Sequence, residues 1–347
     1  MIEVIDTLEK MEALKEEWER LEQNPEMRIF QTYAWCRHAW EWCVSKEEGA
    51  KLWLLRWSQA GREDTVIFPF YIDGRGTLRF IMDRHSDVCN AVYGERGNHH
   101  WCYKEVADLV LSVAEIKSVS FAKMLGESEC LNYLAILLPG SVVNKDNAYS
   151  YLVSPKTNQF ITSQSQLKSK DRSRLNGINR KPGILKIANV INGDVFPKED
   201  ILRLRELMLA SRRRECAFFS DDMLIFIQKV YEEGKCEVAR LYVGDVAVAL
   251  AFRLLNDVRI NYWIVLYEDK KTVTELYLKY MCEKATERNY VFDFGVGAYA
   301  YKLSTFRPSV GITFSLNYSS RLFKQLNGLK DANIRLLKDI LKPRLKR

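Results

Sequence analysis

The chain has 347 residues, 47% of them hydrophobic and 28% charged, and a net charge of +7. That length exceeds what one ordinary core organises and suits two domains, and the composition is that of a soluble globular protein. No apolar run approaches the ~18 residues that cross a membrane, so a membrane-spanning class is excluded.

The charge is unevenly placed. Residues 1–48 hold 12 acids against 6 bases, whereas residues 168–186 hold 7 bases against Asp171 and residues 319–347 hold 9 bases against 2 acids. Such basic stretches meet phosphate, nucleic acid or an anionic membrane face, or are plain solvated helix faces. The opening Met-Ile-Glu-Val-Ile-Asp lacks the basic-then-apolar order of a signal peptide, and the eight cysteines show no paired spacing. Reduced thiols in a cytoplasm are the expectation, with the basic tail as a peripheral contact to the inner face of a membrane.

In chain order, Leu8, Met11, Leu14, Trp18 and Leu21 mark one amphipathic helix before Pro25, and Thr32 to Val44 a second. Leu52 to Trp57, Thr65 to Tyr71 and Leu78 to Met82 read as strands, with a hairpin turn at Asp73-Gly74-Arg75-Gly76. A helix over 100–116, a strand over 118–125 and a helix over 129–138 follow, then a strand from Tyr149 to Ser154. The basic segment from Ser163 to Lys181 reads as a helix, and Ile184 to Ile191 as a strand. Pro197 opens a long helix to about Arg214, acidic at its positive end, and Asp221 to Glu233 is a shorter one. Three strands then form a meander (237–243, 246–255, 259–267), and a helix spans 272–288. Ile312 to Tyr318 is the last strand before a helical basic tail. Both halves repeat meander, helix, strand, helix, an α+β order without nucleotide-fold alternation.

The stretch from Tyr290 to Pro308 organises the rest. Five residues of buried-strand composition, Tyr290 to Phe294, carry Asp293, break at Gly295 and Gly297, and end in Tyr299, Tyr301, Lys302 and Arg307. Acyl transfer needs a base for the attacking group, an acid for the leaving group and donors for an oxyanion. Among the last 130 residues there is no histidine, so Asp293 is the candidate base, Tyr301 the acid and Lys302 the oxyanion or anionic-donor contact. Tyr299 and Arg307 would line an acceptor groove. The structural alternative is an ion pair of Asp293 with Arg307 and ordinary packing of the tyrosines.

Three other signals carry little. Asp293-Phe294-Gly295 spells a kinase triplet but has no glycine-rich loop or His-Arg-Asp loop before it. Gly295-x-Gly297 alone is too short for a dinucleotide fingerprint. Four histidines and four cysteines fall in the first 102 residues without two-residue cysteine spacing, so no metal is expected.

Phe292-Asp-Phe-Gly295 with the following Tyr-Lys and Phe resembles the closing motif of the CelD/BcsL-like acetyltransferases. These are tandem GNAT-fold proteins related to the FemAB peptidoglycan aminoacyltransferases. Trp18, Leu21, Pro25 and Phe30-Gln-Thr-Tyr-Ala-Trp35 are similar to that family's opening pattern, and Phe68-Pro69-Phe70 to its apolar-Pro-apolar strand.

The resemblance implies two GNAT-like domains, 1–155 and 156–318, each a mixed, largely antiparallel sheet flanked by helices, with a basic helical tail over 319–347. It implies acyl-CoA as donor, held at the end of the third meander strand by Tyr267, Lys270, Lys271 and Thr272. The loop departs from the family by having no glycine, and Glu268 and Asp269 oppose a pyrophosphate there. The helix bearing Arg172 and Arg174 resembles the family's basic linker and would hold an anionic donor or lipid head group. The implied acceptor is an amine or hydroxyl of a saccharide or cell-envelope precursor. The alternatives are an aminoacyl-tRNA donor, as in FemAB proteins, or a non-catalytic binding protein on the same scaffold. No DNA partner is expected, and an RNA role lacks aromatics among the basic runs.

Overall fold

The computed structural model describes residues 1–59, 64–94, 99–152, 169, 173, 184–190, 194–211, 220–243, 245–256, 259–268, 291–297 and 309–320. Capping residues set its helices. The Thr7 and Thr32 hydroxyls accept from the backbone N–H of Lys10 and Trp35 and so start α1 (Leu8–Ala13) and α3 (Tyr33–Trp42). The helix expected over 8–21 is divided, with α2 (Lys15–Leu21) separate from α1. The Leu14 N–H bonds to the Met11 carbonyl, a tight three-residue turn, yet Met11, Trp18 and Leu21 all stay buried. Further on come α4 (His100–Ser112), α5 (Glu129–Leu137) capped by Ser128, α6 (Lys198–Ala210) and α7 (Asp221–Glu232) capped by Ser220. No described helix is long and apolar enough to cross a membrane.

The strands of the first half are β1 (Ile2–Ile5), β2 (Lys51–Leu52), β3 (Leu54–Ser58), β4 (Thr65–Phe68), β5 (Phe70–Ile72), β6 (Thr77–Phe80), β7 (Val92–Tyr93), β8 (Ser118–Leu125) and β9 (Val142–Leu152). Those of the second are β10 (Ile184–Val190), β11 (Cys236–Val243), β12 (Val246–Leu255), β13 (Arg259–Tyr267), β14 (Val291–Val296) and β15 (Ser309–Ser319). Two strands expected as continuous are interrupted, one at Trp53 and one at Pro69, which has no N–H to give a ladder. The pieces diverge. β1, β3, β4 and β7 make a four-stranded sheet, while β2, β5 and β6 join the large one.

The large sheet has eleven strands in the order β10-β11-β12-β13-β14-β9-β15-β8-β6-β5-β2. It is antiparallel except for two parallel pairs, β13 with β14 and β6 with β8. Each parallel pair begins a β-strand, connection, β-strand unit that ends in an eleven-residue strand, β9 in one half and β15 in the other. These long strands are exchanged. β14 of the second half pairs with β9, and β8 of the first half pairs with β15.

Side-chain burial crosses the same seam. One core cluster joins Trp18, Phe30 and Trp35 to Phe226, Leu250 and Phe252, so α1 to α3 pack on the second half. Trp35 is fully buried and meets Phe30, Phe226 and Trp263 edge-on at 5.0, 4.9 and 5.2 Å. A second cluster fills the first half around Phe70, Phe80 and Phe121.

Candidate functional site

β13 and β14 pair over three rungs only, Arg259 with Val291, Ile260 with Phe292 and Asn261 with Asp293. β13 runs on to Tyr267 and β14 to Val296, so the two strands part just past Asp293. The reason lies in β14 itself. Gly295 and Gly297 have φ of +64° and +101°, and the register against β9 shifts between Asp293 and Val296. The Gly295 N–H turns back to donate to Asp293 Oδ1 at 2.8 Å.

Asp293 is 1% exposed. Its Oδ2 accepts from the Tyr149 hydroxyl of β9 and lies 3.8 Å from Arg28 Nε, an ion-pair separation without a hydrogen bond. Burial, reinforced by the Asp293 charge, pushes the Tyr149 phenol well above its ordinary 10.0, so it is held as a donor. For Arg28, burial works against the cation, but Tyr149 and Asp293 outweigh it and the pKa rises. The expected ion pair of Asp293 is therefore supplied by Arg28, while Arg307 lies outside the described residues.

A fourth group comes from the loop after β6. An added Cβ at Gly295 would stand 2.0 Å from Asp87 Oδ2, and Asn261 Nδ2 donates to the same oxygen at 3.4 Å. Trp263 Nε1 donates to the His85 carbonyl at 2.8 Å. Residues 85–87 of the first half thus lie along the parting strands of the second.

One small space adjoins Asp293, and a larger cleft shares two of its walls. A void of about 10 Å³ is bounded by Asp293, Asn261, Arg28 and Arg259, close to the ~10–15 Å³ that one water needs. Arg28 and Arg259 also wall a cleft of about 210 Å³ between the halves, together with Glu26, Asn90, Glu127 and Ser128.

Of the residues singled out in the sequence, Asp293 and Tyr267 are described. Tyr267 ends β13, paired with Ala249, and its N–H points to Met208 Sδ at 3.3 Å. Six residues separate it from Asn261, about 20 Å along a strand, so the expected donor end and the Asp293 end are well apart. Lys270, Lys271, Thr272, Tyr299, Tyr301, Lys302, Arg307, Arg172 and Arg174 lie outside the described residues.

The fit to a CoA donor is testable at two points. Glu268, whose carboxylate opposes a phosphate, is paired with Arg203 Nη1 at 2.6 Å, which offsets part of that charge. The parting of β13 from β14 offers strand edge beside it. Both suit the donor, although Asp87 closes the lower end of the gap.

Two members of the site carried no motif. Arg28 had one signal, a lone cation between Met27 and Ile29-Phe30 in an apolar run. Tyr149 and Asp87 had none: Tyr149 comes to Asp293 through the long-range pairing of β9 with β14, and Asp87 through the loop after β6 that lies along β13. The six described cysteines are free, and no group of three or more metal-binding side chains occurs among the described residues.

A family model described as an acetyltransferase (GNAT) domain matches residues 196–303. Among solved structures, FemX aligns with a TM-score of 0.54 at 9% identity, covering 95% of this chain and 99% of that one. The C-terminal domain of a putative lysylphosphatidylglycerol synthetase from Agrobacterium fabrum aligns at 0.52 and 13%, covering 88% and 95%. A tandem GNAT protein from the clavulanic acid biosynthesis pathway aligns at 0.51 and 9%, covering 92% and 98%. No curated protein matches. The class is thereby defined: a mixed α+β chain of tandem GNAT-like architecture with an acyltransferase-like fold. Within it, the second half carries the stretch similar to GNAT acetyltransferase domains.

Proposed function

We propose that the protein transfers an acyl group to an amine or hydroxyl of a saccharide or cell-envelope precursor, as a relative of the CelD/BcsL-like acetyltransferases. The observation that supports this most is a buried carboxylate, Asp293, held by Tyr149 and Arg28 where β13 and β14 part, beside a cleft walled by both halves. In this reading Asp293 takes the acceptor's proton through one molecule of water in the small void. Arg28 presents an N–H to the oxygen on which charge develops. Tyr301 serves as acid, Lys302 steadies the oxyanion, and Tyr299 and Arg307 line the acceptor path.

The donor is acyl-CoA, held by Tyr267, Lys270, Lys271 and Thr272; when bound it supplies an activated thioester carbonyl. Residues 1–155 form the supporting domain and 156–318 the active one. The helix with Arg172 and Arg174 and the 319–347 tail face anionic groups, the tail at a membrane surface.

An aminoacyl-tRNA donor is supported about equally. FemX and the lysylphosphatidylglycerol synthetase domain share the fold, and Asp87 narrows the strand gap that a thioester arm would follow. Calorimetric titration separates the two. Acetyl-CoA and a longer acyl-CoA are expected to bind, and to stop binding in Lys270→Glu/Lys271→Glu. Binding of neither to the unaltered protein would remove CoA and leave aminoacyl-tRNA, or a binding protein without turnover.

A further inference from the structure

We infer that the cleft between the halves is a binding site for one neutral, sugar-sized polyol, the acceptor residue of the proposed transfer. Only the word acceptor rests on that transfer; the site is argued from its own size, charge and hydrogen-bonding groups.

Size comes first. At about 210 Å³ the cleft is smaller than the ~300–1,000 Å³ of pockets for drug-sized ligands. One ring fits. A nucleotide or a pantetheine arm would extend past its mouth.

Polarity excludes an acyl chain. Glu26 and Glu127 bring carboxylates that only accept, and Arg28 and Arg259 bring guanidiniums that only donate. Apolar matter over them would strip their hydration without replacing it, at a cost of kcal/mol for each group. Hydroxyl groups both donate and accept, so a polyol answers both kinds of wall. Tyr93, Val88 and Leu125 line the same cleft and cover carbon faces.

Charge excludes the ionic alternatives. Among the described residues the four charged walls balance, two acids against two bases. At the deep end Arg28 already faces Asp293, and its Nη1 donates to the Glu26 carbonyl at 2.7 Å. Its buried Nε has no hydrogen-bond partner among the described residues. The Arg28 charge is thus already offset on the Asp293 side, and a neutral hydroxyl oxygen at the deep end of the cleft needs no further compensation. At the exposed mouth, Glu127 makes no salt bridge among the described residues and remains available to accept from a hydroxyl.

The test is titration of the full chain with D-glucose, D-galactose and N-acetyl-D-glucosamine, followed by calorimetry or protein NMR. Sodium phosphate and glutamate serve as ionic competitors. At least one sugar is expected to bind saturably, at least tenfold more weakly in Glu127→Ala, and not at all in Leu125→Trp, which fills the cleft. Competition by phosphate or glutamate, binding of no sugar, or equal binding in both variants would overturn the assignment.

Thermal midpoints near the unaltered value establish that the variants are folded. Should Leu125→Trp fail to fold, the Glu127→Ala affinity and the competitors decide alone. Because no donor is present, the outcome is separate from turnover. Sugar binding with transfer undiminished in Asp293→Asn would sink the proposed chemistry and keep the site. Transfer lost in Asp293→Asn with no sugar bound would do the reverse.

Discussion

The two halves use the same strand arrangement for opposite ends. In the first, β6 and β8 run parallel over Thr77 with Ser118 and Leu78 with Val119. The polar contact at that rung is between neutral hydroxyls, Ser118 Oγ to Thr77 Oγ1 at 3.0 Å. Past it lie packed rings, Phe121 stacked on Phe70 at 4.7 Å and tilted against Phe80 at 4.8 Å. In the second, the corresponding parallel pair ends on Asn261 and Asp293, with Arg28 and Arg259 nearby. A parting filled with phenyl rings is a core; a parting lined with charge is a site, because buried charge is costly wherever it has no task or partner. Yet the first half is not idle. It lends Arg28, Tyr149 and Asp87 to the second half's carboxylate, and it walls most of the cleft.

The contrast is broken most sharply at Asp293. Asp293→Asn is expected to lower transfer by about 10²–10⁴-fold, the usual contribution of a positioned acid or base. The amide oxygen can still accept from Tyr149, but its NH2 then faces the Gly295 N–H and Arg28 loses its counter-charge, so a thermal midpoint is measured beside the assay to establish that the variant is folded. Ser118→Ala, at the first half's rung, is expected to leave turnover unchanged. Activity retained in Asp293→Asn would take the carboxylate out of the chemistry.

Next in size is Phe121→Ala. It opens the ring stack and is expected to cost about 3–5 kcal/mol in denaturant unfolding, while the affinity of the cleft for its ligand holds. A loss below 1 kcal/mol would mean that the first half's parting is not a tight core.

Gly295→Ala follows. Positive φ there costs a non-glycine residue about 1–3 kcal/mol, and the new methyl meets Asp87. Stability measured together with Asp87→Ala separates the two causes: relief in the double variant would identify the contact, and no relief the backbone.

Much of this architecture is legible in the linear sequence. The meander of β11 to β13, β8, α5 and α7 fall within a residue or two of where periodicity and caps place them. So does Asp293, the one charge inside an apolar strand that ends in glycines. What periodicity misses is non-local. β9 begins at Val142, seven residues before the strand expected there, because its first turnless stretch reads Asn144-Lys-Asp-Asn147, polar and exposed. Its strand character comes from pairing with β15 about 170 residues away. Tyr149 becomes a site residue through that exchange, and Arg28 through the packing of the N-terminal helices on the second half.

The smallest expected effect probes how closely the first half is applied to the second. His85 belongs to the first half, but its carbonyl accepts from Trp263 of β13. Burial, with the positive charges of Lys123 and Arg84 adding to it, pushes its imidazole from 6.5 down to about 4. Between those values the unfolded chain binds the proton and the native state does not. The stability linked to His85 is therefore whole above pH 6.5 and is lost as pH falls through about 4. His85→Gln keeps the backbone carbonyl on Trp263 and removes the titration. Its thermal midpoint is expected to fall less than that of the unaltered protein between pH 7 and pH 4. The difference between the two acid limbs cancels the carboxylates that titrate in both. Parallel limbs would mean that the imidazole meets solvent at the seam, and that the loop bearing Asp87 is applied to β13 more loosely than its hydrogen bonds suggest.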